Sequence, residues 1–288
     1  MKFLENILAQ HKKNIILRTM LRIKMTLQNI ISNEPITGGG QSIVCLTSYG
    51  WRLKVVHLTI ESIANGYTRP KRLILWVAKD DLHLTTDKPL RRLQARGLEI
   101  KPCPDFKSHK KYLPYIQSTE IADLTTPLVT ADDDTFYPRD WLRKLEVERS
   151  TNPSTILCYR AKRLSVSDGK ITNYEKWPAC KSTSASVLNV ATGVSGILYP
   201  TELQMALKDK GTLGFELCPT ADDIWLHAVA SDNGIPTKQV SPQAVHFVES
   251  VSTSRDSLHK MNVKQGGNDR QILMAYSEKA IQRFKAEE

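Results

Sequence analysis

The sequence predicts an α/β fold: a doubly wound, mostly parallel sheet with helices on both faces, preceded by an N-terminal amphipathic helical arm. The first observation is that short, continuously apolar runs alternate with helical patterns from residue 42 to residue 130, which is the order of strands joined by crossover helices. The second is a composition of 41% hydrophobic and 24% charged residues over 288 positions, which is typical of a globular chain with a large core.

The predicted elements follow one another regularly up to residue 130. We expect strands at Ser42–Leu46, Arg72–Ala78, Leu98–Lys101 and Pro127–Thr130. We expect the helices between them at Leu53–Ala64, Leu90–Arg96 and Lys110–Glu120. Because ligands bind beyond the carboxyl ends of the strands in such sheets, polar residues after these strands are the first candidates for a site.

Beyond residue 134 the pattern is less regular. Helices are predicted at Asp140–Arg149, from Thr201, from Ala221 and over Asp269–Phe284, and strands at Thr155–Arg160, Lys170–Tyr174, within Gly193–Pro200 and at Lys238–Val240. The glycine-rich loop Pro35–Gln41 separates an arm (1–34) from one domain (42–288). This loop is not a phosphate-binding loop, because it precedes the first strand and no GK[ST] follows it.

The first 34 residues predict a basic amphipathic helix. Apolar residues fall at mostly helical spacings, and six lysines and arginines outnumber two glutamates. Two interpretations stay open: the helix lies on an anionic membrane surface, or it packs on the domain or between subunits. Charges interrupt the apolar part, which excludes a secretory signal, and no run approaches the ~18 apolar residues that span a bilayer.

The charge and the cysteines restrict the partners and the compartment. A net charge of +10 indicates phosphate-bearing ligands, anionic lipid or nucleic acid. No nucleic-acid-binding signature interleaves aromatic and basic residues, so nucleic acid is not expected. The five cysteines are scattered without a CxxC pair, which is typical of reduced core thiols and predicts a cytoplasmic protein, peripheral on the inner face of the membrane if the arm binds lipid.

Asp132, Asp133 and Asp134 follow the predicted strand Pro127–Thr130 after one alanine, Ala131. Adjacent carboxylates raise one another's pKa and destabilise a fold unless a cation neutralises them. Carboxylate oxygens suit Mg²⁺ or Mn²⁺, which keep positions open for water and substrate phosphates. A divalent-metal site therefore explains the three aspartates better than a solvated turn.

This arrangement resembles the GT-A class of glycosyltransferases, especially the family 2-like enzymes of bacterial polysaccharide, lipopolysaccharide and capsule biosynthesis. It consists of a βαβα half that ends in an apolar strand and D-D-D, with aromatic residues and Pro138 just after. In that class a DxD motif holds Mn²⁺ or Mg²⁺ against the diphosphate of a UDP- or GDP-sugar. The resemblance covers about residues 42–230 and implies that Asp132 and Asp134 are the metal ligands.

The resemblance implies a nucleotide-binding half at 42–135, an acceptor half at 136–245 and a C-terminal helical segment at 246–288. It implies a hexosyltransferase that moves a sugar from a nucleoside-diphosphate donor, with a UDP-sugar expected, to a glycan or glycolipid acceptor. The residues implied for donor binding are Thr47, Ser48, Arg52, Asp80, Lys107, Lys110, Asp132 and Asp133. For Asp80 a polar turn, and for the lysines a solvated basic face, are the competing interpretations.

Asp222 and Asp223 begin the helix predicted from Ala221. They resemble the acidic pair that supplies the catalytic base in inverting members of the class. An acceptor hydroxyl must lose a proton as it attacks the anomeric carbon, and a carboxylate within hydrogen-bond reach is a suitable base. We therefore predict Asp223 as the base and Asp222 as its neighbour in acceptor binding. Helix capping is the alternative, and a retaining enzyme would leave Asp223 without this role.

Four further residues are predicted to line the acceptor and sugar pocket, and two histidines are candidate metal ligands. Gly193, Ser195 and Gly196 form a loop similar to the glycine-containing loop that lines this pocket in the class, and Trp225 is added to it. His246 is a candidate third metal ligand, as is His259. A packed core histidine is the simpler interpretation of both.

Two other functions remain possible from the sequence. A phosphatase of the haloacid-dehalogenase type also places aspartates after a strand and uses Mg²⁺, but its D-x-D-x-[TV] motif lies near the start of the domain. Here three strands come first. The second is a non-catalytic, basic peripheral membrane protein whose acids bind a structural metal. Release of UDP from a nucleotide sugar would exclude both.

Overall fold

The computed structural model describes residues 2–250 and 266–287, with side chains from residue 14 onward. The helices are α1 Lys2–Ile31, α2 Val56–Ala64, α3 Lys88–Ala95, α4 Leu113–Ser118, α5 Trp141–Thr151, α6 Thr201–Lys210, α7 Leu213–Leu217, α8 Asp222–Asp232, α9 Gly267–Ala275 and α10 Glu278–Glu287. The strands are β1 Ile43–Thr47, β2 Arg72–Ala78, β3 Leu98–Cys103, β4 Leu128–Ala131, β5 Thr135–Phe136, β6 Ile156–Cys158, β7 Ala161–Arg163, β8 Val166–Ser167, β9 Lys170–Ile171, β10 Asn189–Ala191, β11 Ile197–Tyr199, β12 Thr237–Gln239 and β13 Val248–Glu249.

The centre of the molecule is a seven-stranded sheet in the order β12-β6-β11-β4-β1-β2-β3. The strands β4, β1, β2 and β3 pair in parallel, as do β12 and β6. Only β11 within this sheet runs in the opposite direction, since it pairs antiparallel with both β4 and β6. The predicted doubly wound, mostly parallel α/β fold is therefore confirmed.

The strand order reverses beside β1. The chain proceeds outward from β1 to β2 and β3, and then returns to place β4 on the other side of β1. The connections leaving β1 and β4 therefore diverge, and a crevice opens beyond the carboxyl ends of these two strands. In the parallel register Leu46 of β1 lies opposite Ala131 of β4, so the residues that follow both strands meet at this crevice.

Helices cover both faces of the sheet. Alternate residues of a strand point to opposite faces, and in β1 Val44 and Leu46 pack with α2, α3 and α5, whereas Ile43 and Cys45 pack with α4, α6 and α8. Burial on both sides explains why the strands are continuously apolar. The five cysteines are free and buried, as their scattered spacing predicts.

The prediction of one helix over Lys110–Glu120 is wrong. The chain makes a short 3₁₀ turn at Lys107–Lys111, and α4 then covers only Leu113–Ser118. Pro114 lies in the first turn of α4, where a missing N–H costs nothing. In the interior of a longer helix the same proline would break a hydrogen bond and clash with the preceding turn.

The prediction of one helix over Asp269–Phe284 is also wrong. This segment forms α9 and α10, which are separated at Tyr276, where the backbone is extended with φ −86° and ψ 126°. The N–H of Ala280 donates a hydrogen bond of 3.1 Å to the Ser277 hydroxyl. Ser277 therefore caps α10, and serine at such a position favours a new helix start over continuation.

One face of α1 packs on the domain. Met25 and Asn29 are each 2% exposed, and Asn29 Nδ2 donates a hydrogen bond of 3.0 Å to Glu61 Oε1 on α2. Glu61 is fully buried and forms an ion pair with Arg96. Because Asn29 completes this buried polar cluster, the second half of α1 is fixed to the domain.

The opposite face of α1 is apolar and exposed. Its large exposed side chains are Ile16, Met20, Ile23, Leu27, Ile30 and Ile31. None of the helices in the described ranges is both long enough and apolar enough to cross a membrane. The helix thus has one face bound to the domain and one face without a described partner.

Candidate active site

A cavity of about 540 Å³ lies beyond the carboxyl ends of β1 and β4. This volume is within the range of small-molecule sites. Its lining includes five acids and four bases, so both signs of charge face one space. The lining residues are Thr47, Tyr49, Arg52, Asp81, Asp105, Lys107, Ser108, Lys110, Lys111, Asp132, Asp133, Asp134 and Val194.

Asp133 ties the end of β4 to the loop that follows β1. Its carboxylate accepts hydrogen bonds from Ser48 Oγ at 2.5 Å and Arg52 Nε at 2.9 Å, and Arg52 Nη2 binds its second oxygen. Thr59 Oγ1 donates a hydrogen bond of 2.9 Å to the Asp133 carbonyl oxygen. Both carboxylate oxygens of Asp133 are therefore engaged, which makes this residue a structural anchor of the cavity wall.

Asp132 and Asp134 are more open than Asp133, with side chains 22% and 18% exposed. Lys111 Nζ pairs with Asp132 Oδ1, and Arg52 Nη2 lies 2.9 Å from Asp134 Oδ2. The other oxygens, Asp132 Oδ2 and Asp134 Oδ1, have no hydrogen-bonding partner among the described residues. Each of these two carboxylates thus keeps one oxygen for another ligand.

These carboxylates fit a dication only if it shares its coordination with another ligand. Within residues 2–250 and 266–287, no group of three or more His, Cys, Asp or Glu side chains could hold a metal ion. Mg²⁺ commonly uses one or two carboxylates together with substrate phosphates. Asp132 and Asp134 are consistent with that mode, which requires a phosphate-bearing ligand in the cavity.

The crowding of the three acids affects the pKa of Asp134. Burial raises the pKa of Asp134 to about 6, and repulsion from Asp132 and Asp133 adds to the shift, while the Arg52 guanidinium partly offsets it. The shift indicates that Arg52 does not fully compensate the negative charge at the end of β4. A further cation would therefore be stabilised there.

The second acidic segment lies beside the first. The N–H of Gly193 donates a hydrogen bond of 2.9 Å to Asp223 Oδ2. A Cβ placed on Gly193 would lie 3.4 Å from Asp223 Oδ1 and 3.6 Å from Lys111 Nζ. Because Lys111 also pairs with Asp132, its ammonium group lies between the strand-end acids and the acids of α8.

The surroundings raise the pKa of both Asp223 and Lys111, which favours a neutral Asp223 and a charged Lys111. Burial and repulsion from Asp222 raise the pKa of Asp223 to about 7, although the Gly193 N–H and Lys111 act in the opposite direction. Burial lowers the pKa of Lys111, but attraction by Asp132, Asp222 and Asp223 outweighs burial, and the net pKa lies above its ordinary value. At neutral pH Lys111 is therefore charged, while Asp223 can exchange a proton as a general base does.

Most of the residues predicted for donor binding line the cavity, with two corrections. Ser48 is fully buried and donates to Asp133, so it positions the aspartate and does not face the cavity. Asp80 is exposed and outside the lining, whereas Asp81 lines it and accepts a hydrogen bond of 3.2 Å from the Gly50 N–H. The cavity is thus lined by Arg52, as predicted, and by Asp81 instead of Asp80, while Ser48 acts through Asp133.

The loop at residues 193–196 shapes the cavity through its backbone. Ser195 has a φ of 77° and donates its hydroxyl to the Val245 carbonyl oxygen at 2.7 Å. Gly196 has a φ of 89°, and a Cβ there would approach the Trp141 ring to 2.7 Å, so only glycine fits. Of this loop, Val194 is the residue in the cavity lining.

The predicted pocket contact of Trp225 is a further correction. Trp225 is 5% exposed and belongs to the hydrophobic core. Its indole lies against Gly214, where an added Cβ would approach Nε1 to 2.3 Å. A large aromatic residue on a helix that begins with two acids is therefore a packing residue here.

Of the two histidine candidates, His246 belongs to the described residues and His259 does not. His246 is exposed and is not part of the cavity lining. His259 lies outside the described residues. The metal role of both stays a prediction.

Sequence reasoning missed several residues of the cavity, above all Lys111 and Tyr49. The tract Lys107–Lys111 contains three lysines, and the backbone decides which one reaches the acids. Lys107 has a φ of 49°, Lys110 pairs with Asp105, and Lys111 pairs with Asp132. Tyr49 is 45% exposed beside Arg52, and an exposed aromatic residue in the loop after the first strand is the signal that could have identified it.

Comparisons with known proteins place this geometry in a fold class. No protein-family model matches the sequence, and no curated protein matches it either. Among solved structures, the mannosyltransferase PcManGT from Pyrobaculum calidifontis in complex with GDP-Man and Mn²⁺ has 13% identity and a TM-score of 0.52, covering 96% of this chain and 78% of that chain. TarS 1–349 from S. aureus has 14% identity and a TM-score of 0.49, covering 86% of this chain and 71% of that chain.

A nucleotidyltransferase-type structure is also similar. The 4-diphosphocytidyl-2C-methyl-D-erythritol synthase from Anaerococcus prevotii has 14% identity and a TM-score of 0.45, covering 82% of this chain and 98% of that chain. The likeness to the mannosyltransferase, with the sheet order and the reversal beside β1, shows that this chain has a GT-A-like fold. The predicted resemblance in fold is confirmed.

Proposed function

We propose that this protein is a metal-dependent glycosyltransferase that moves a sugar from a nucleoside-diphosphate donor, expected to be a UDP-sugar, to a hydroxyl of a glycan or glycolipid. One observation carries the proposal: Asp132 and Asp223, distant in sequence, lie near one lysine, Lys111, which pairs with Asp132 and interacts electrostatically with Asp223. The structurally similar mannosyltransferase contains GDP-Man and Mn²⁺, which supports the same class of donor and cofactor here.

The cavity has the charges that a diphosphate requires. Arg52, Lys107 and Lys111 line it, and guanidinium and ammonium groups form strong hydrogen bonds with phosphate oxygens. Asp132 and Asp134 would hold Mn²⁺ or Mg²⁺, which stabilises the negative charge on a leaving diphosphate when bound. Tyr49 and Asp81 offer an aromatic face and a carboxylate for the nucleoside.

Asp223 is suited to the base of an inverting transfer. Its pKa of about 7 allows it to exist as a carboxylate at neutral pH and still hold a proton taken from the acceptor hydroxyl. The Gly193 N–H binds one of its oxygens, which fixes the orientation of the carboxylate. Asp222 lies next to it on α8 and raises its proton affinity.

The phosphatase alternative is weaker than the transferase. The three aspartates follow β4 and not the first strand of the domain. Both oxygens of Asp133 are hydrogen-bonded to Ser48 and Arg52, which leaves this carboxylate poorly placed to act as a nucleophile. We therefore favour the transferase over a phosphoenzyme mechanism.

Attachment to an anionic membrane surface belongs to the same proposal. The exposed face of α1 presents Ile23 and Leu27, each more than half exposed, and Lys24 lies between them in sequence. An apolar face beside basic residues binds lipid headgroups and acyl chains together. A glycolipid acceptor would then lie at the surface to which the enzyme binds.

Screening nucleotide sugars for thermal stabilisation tests the proposal. One donor class should raise the Tm only with Mn²⁺ or Mg²⁺, because ligand at 100 times its Kd stabilises by about 2.7 kcal/mol. That gain corresponds to a Tm shift of several degrees for a domain of this size. Addition of EDTA should abolish it, and the stabilising donor should release its nucleoside diphosphate on incubation with acceptor. If no nucleoside diphosphate or nucleotide sugar stabilises the protein, the proposal is wrong.

A further inference from the structure

The chain supplies its own cations to the three aspartates. Arg52 binds Asp133 and Asp134, and Lys111 binds Asp132. The Lys111 side chain is only 16% exposed, and Nζ lies next to the Gly193–Asp223 hydrogen bond. Two cationic side chains therefore compensate part of the charge of the three acids before any ligand enters the cavity.

Arg52 and Lys111 differ in how firmly they are held. Arg52 binds both oxygens of Asp133, and Ser48 also donates a hydrogen bond to this carboxylate. Lys111 instead has a flexible side chain and a single Asp132 oxygen as its ion-pair partner. Of the two cations, Lys111 is the one that a ligand can redirect.

The Lys111–Asp132 pair makes metal binding depend on whether a diphosphate binds at the same time. A dication that arrives alone at Asp132 must compete with the Lys111 ammonium and leave that group without its partner in a partly buried position, which is costly. A diphosphate that arrives together with the dication gives Lys111 a new anion. Each ligand then lowers the free-energy cost of binding the other, which is thermodynamic coupling.

We propose that Lys111 is a positioning residue that couples the two ligands: it occupies Asp132 in the empty site, so that a divalent cation binds well only together with a diphosphate. The diphosphate is that of the donor, and to that extent the inference rests on the proposed function. Lys110 does not have this role, because its side chain is 4% exposed and is paired with Asp105.

The test is calorimetry of the full chain with Mn²⁺ alone, inorganic pyrophosphate alone, and both together. For the natural protein we expect weak binding of Mn²⁺ alone and about tenfold tighter binding with saturating pyrophosphate, which is a typical coupling. In Lys111→Met, Mn²⁺ alone should bind about tenfold more tightly than to the natural protein, pyrophosphate should bind more weakly, and the mutual enhancement should be clearly smaller. Lys111→Arg keeps the charge and should keep the enhancement.

Lys144→Met is the matched control. Lys144 is also paired with an aspartate, Asp140, but lies on α5 with its side chain 58% exposed and outside the cavity lining. This variant should bind Mn²⁺ and pyrophosphate as the natural protein does. If Lys111→Met does not fold by circular dichroism, Lys111→Gln removes the charge with a polar side chain and has the same expected result.

Unchanged Mn²⁺ affinity in a folded, uncharged Lys111 variant would overturn the inference, as would undiminished enhancement by pyrophosphate. These measurements need no sugar donor and no turnover. The coupling can therefore fail while nucleotide sugars still bind, and nucleotide sugars can fail to bind while the coupling holds. The two failures are thus distinguishable.

Discussion

Asp223 combines a buried carboxylate with a defined hydrogen bond. Its folded pKa of about 7 lies well above its ordinary value of 3.8, because burial and Asp222 disfavour its ionised form. The folded state therefore binds this proton more tightly than the unfolded state does. Its contribution to stability is complete below about pH 4 and is lost as the pH rises through about 7.

Asp223→Asn tests both roles of this residue. We expect donor binding to persist and turnover to fall by orders of magnitude, because the base is absent. In the natural protein kcat/KM should rise with pH up to about 7 as Asp223 loses its proton, and steady-state kinetics of both proteins measure this.

The same variant also tests the predicted effect of the Asp223 charge on thermal stability. At pH 8 Asp223→Asn should have a higher Tm than the natural protein, because it removes a buried charge, and near pH 4 this advantage should be absent. Thermal melts at the two pH values provide the measurement. Normal transfer rates in the variant would remove Asp223 as the base, and equal Tm values at pH 8 would contradict its raised pKa.

Some residues of the candidate site can be predicted from the sequence, and others cannot. The three aspartates could be located because a run of acids after an apolar strand is a local pattern. Lys111 could not be chosen from its tract, because the positive φ of Lys107 and the 3₁₀ turn decide where each lysine points. The sequence does not indicate which of the adjacent acids Asp80 and Asp81 faces the cavity, and the structure places Asp81 there.

At the scale of elements, buried parallel strands are the most predictable feature. Arg72–Ala78 is found with the predicted bounds, because burial on both faces makes the strand a continuous apolar run. The two incorrect helix predictions have one cause in common. A new helix begins within each apolar pattern, with Pro114 in the first turn of α4 and Ser277 as the cap of α10. Apolar spacing alone does not reveal such starts.

We predict that the exposed apolar face of α1 binds anionic membranes. Ile23→Glu combined with Leu27→Glu should reduce co-sedimentation with anionic vesicles several-fold, since burying such a side chain contributes about 1.5–3 kcal/mol. The two side chains are 56% and 52% exposed, so the fold should persist. Deleting the arm would be a poorer test, because Met25 and Asn29 are buried against the domain.

Val147→Glu provides the control for this experiment. Val147 is an apolar residue that is 65% exposed and lies on α5 instead of α1. Sedimentation of this variant should match that of the natural protein. Unchanged sedimentation of the α1 double variant would reject the membrane role of this face.

At the scale of the whole molecule, topology brings the two acidic segments together. β4 lies beside β1, and β11 and α8 follow much later in the chain, yet Asp132 and Asp223 are both adjacent to Lys111. The order of strands could be predicted from the alternation of patterns. The contact between the segments could not, because it depends on the loop at Gly193 and on the direction of one lysine side chain.

The most direct test of the central claim is calorimetric titration of UDP, with and without Mn²⁺, into the natural protein and Asp134→Ala. The account predicts that Asp134→Ala keeps its circular dichroism spectrum and loses Mn²⁺-dependent UDP binding, because Asp134 supplies an oxygen to the cation that carries the diphosphate. Asp140→Ala, an acid outside the cavity lining, should bind as the natural protein does. Undiminished Mn²⁺-dependent binding by folded Asp134→Ala would contradict the account.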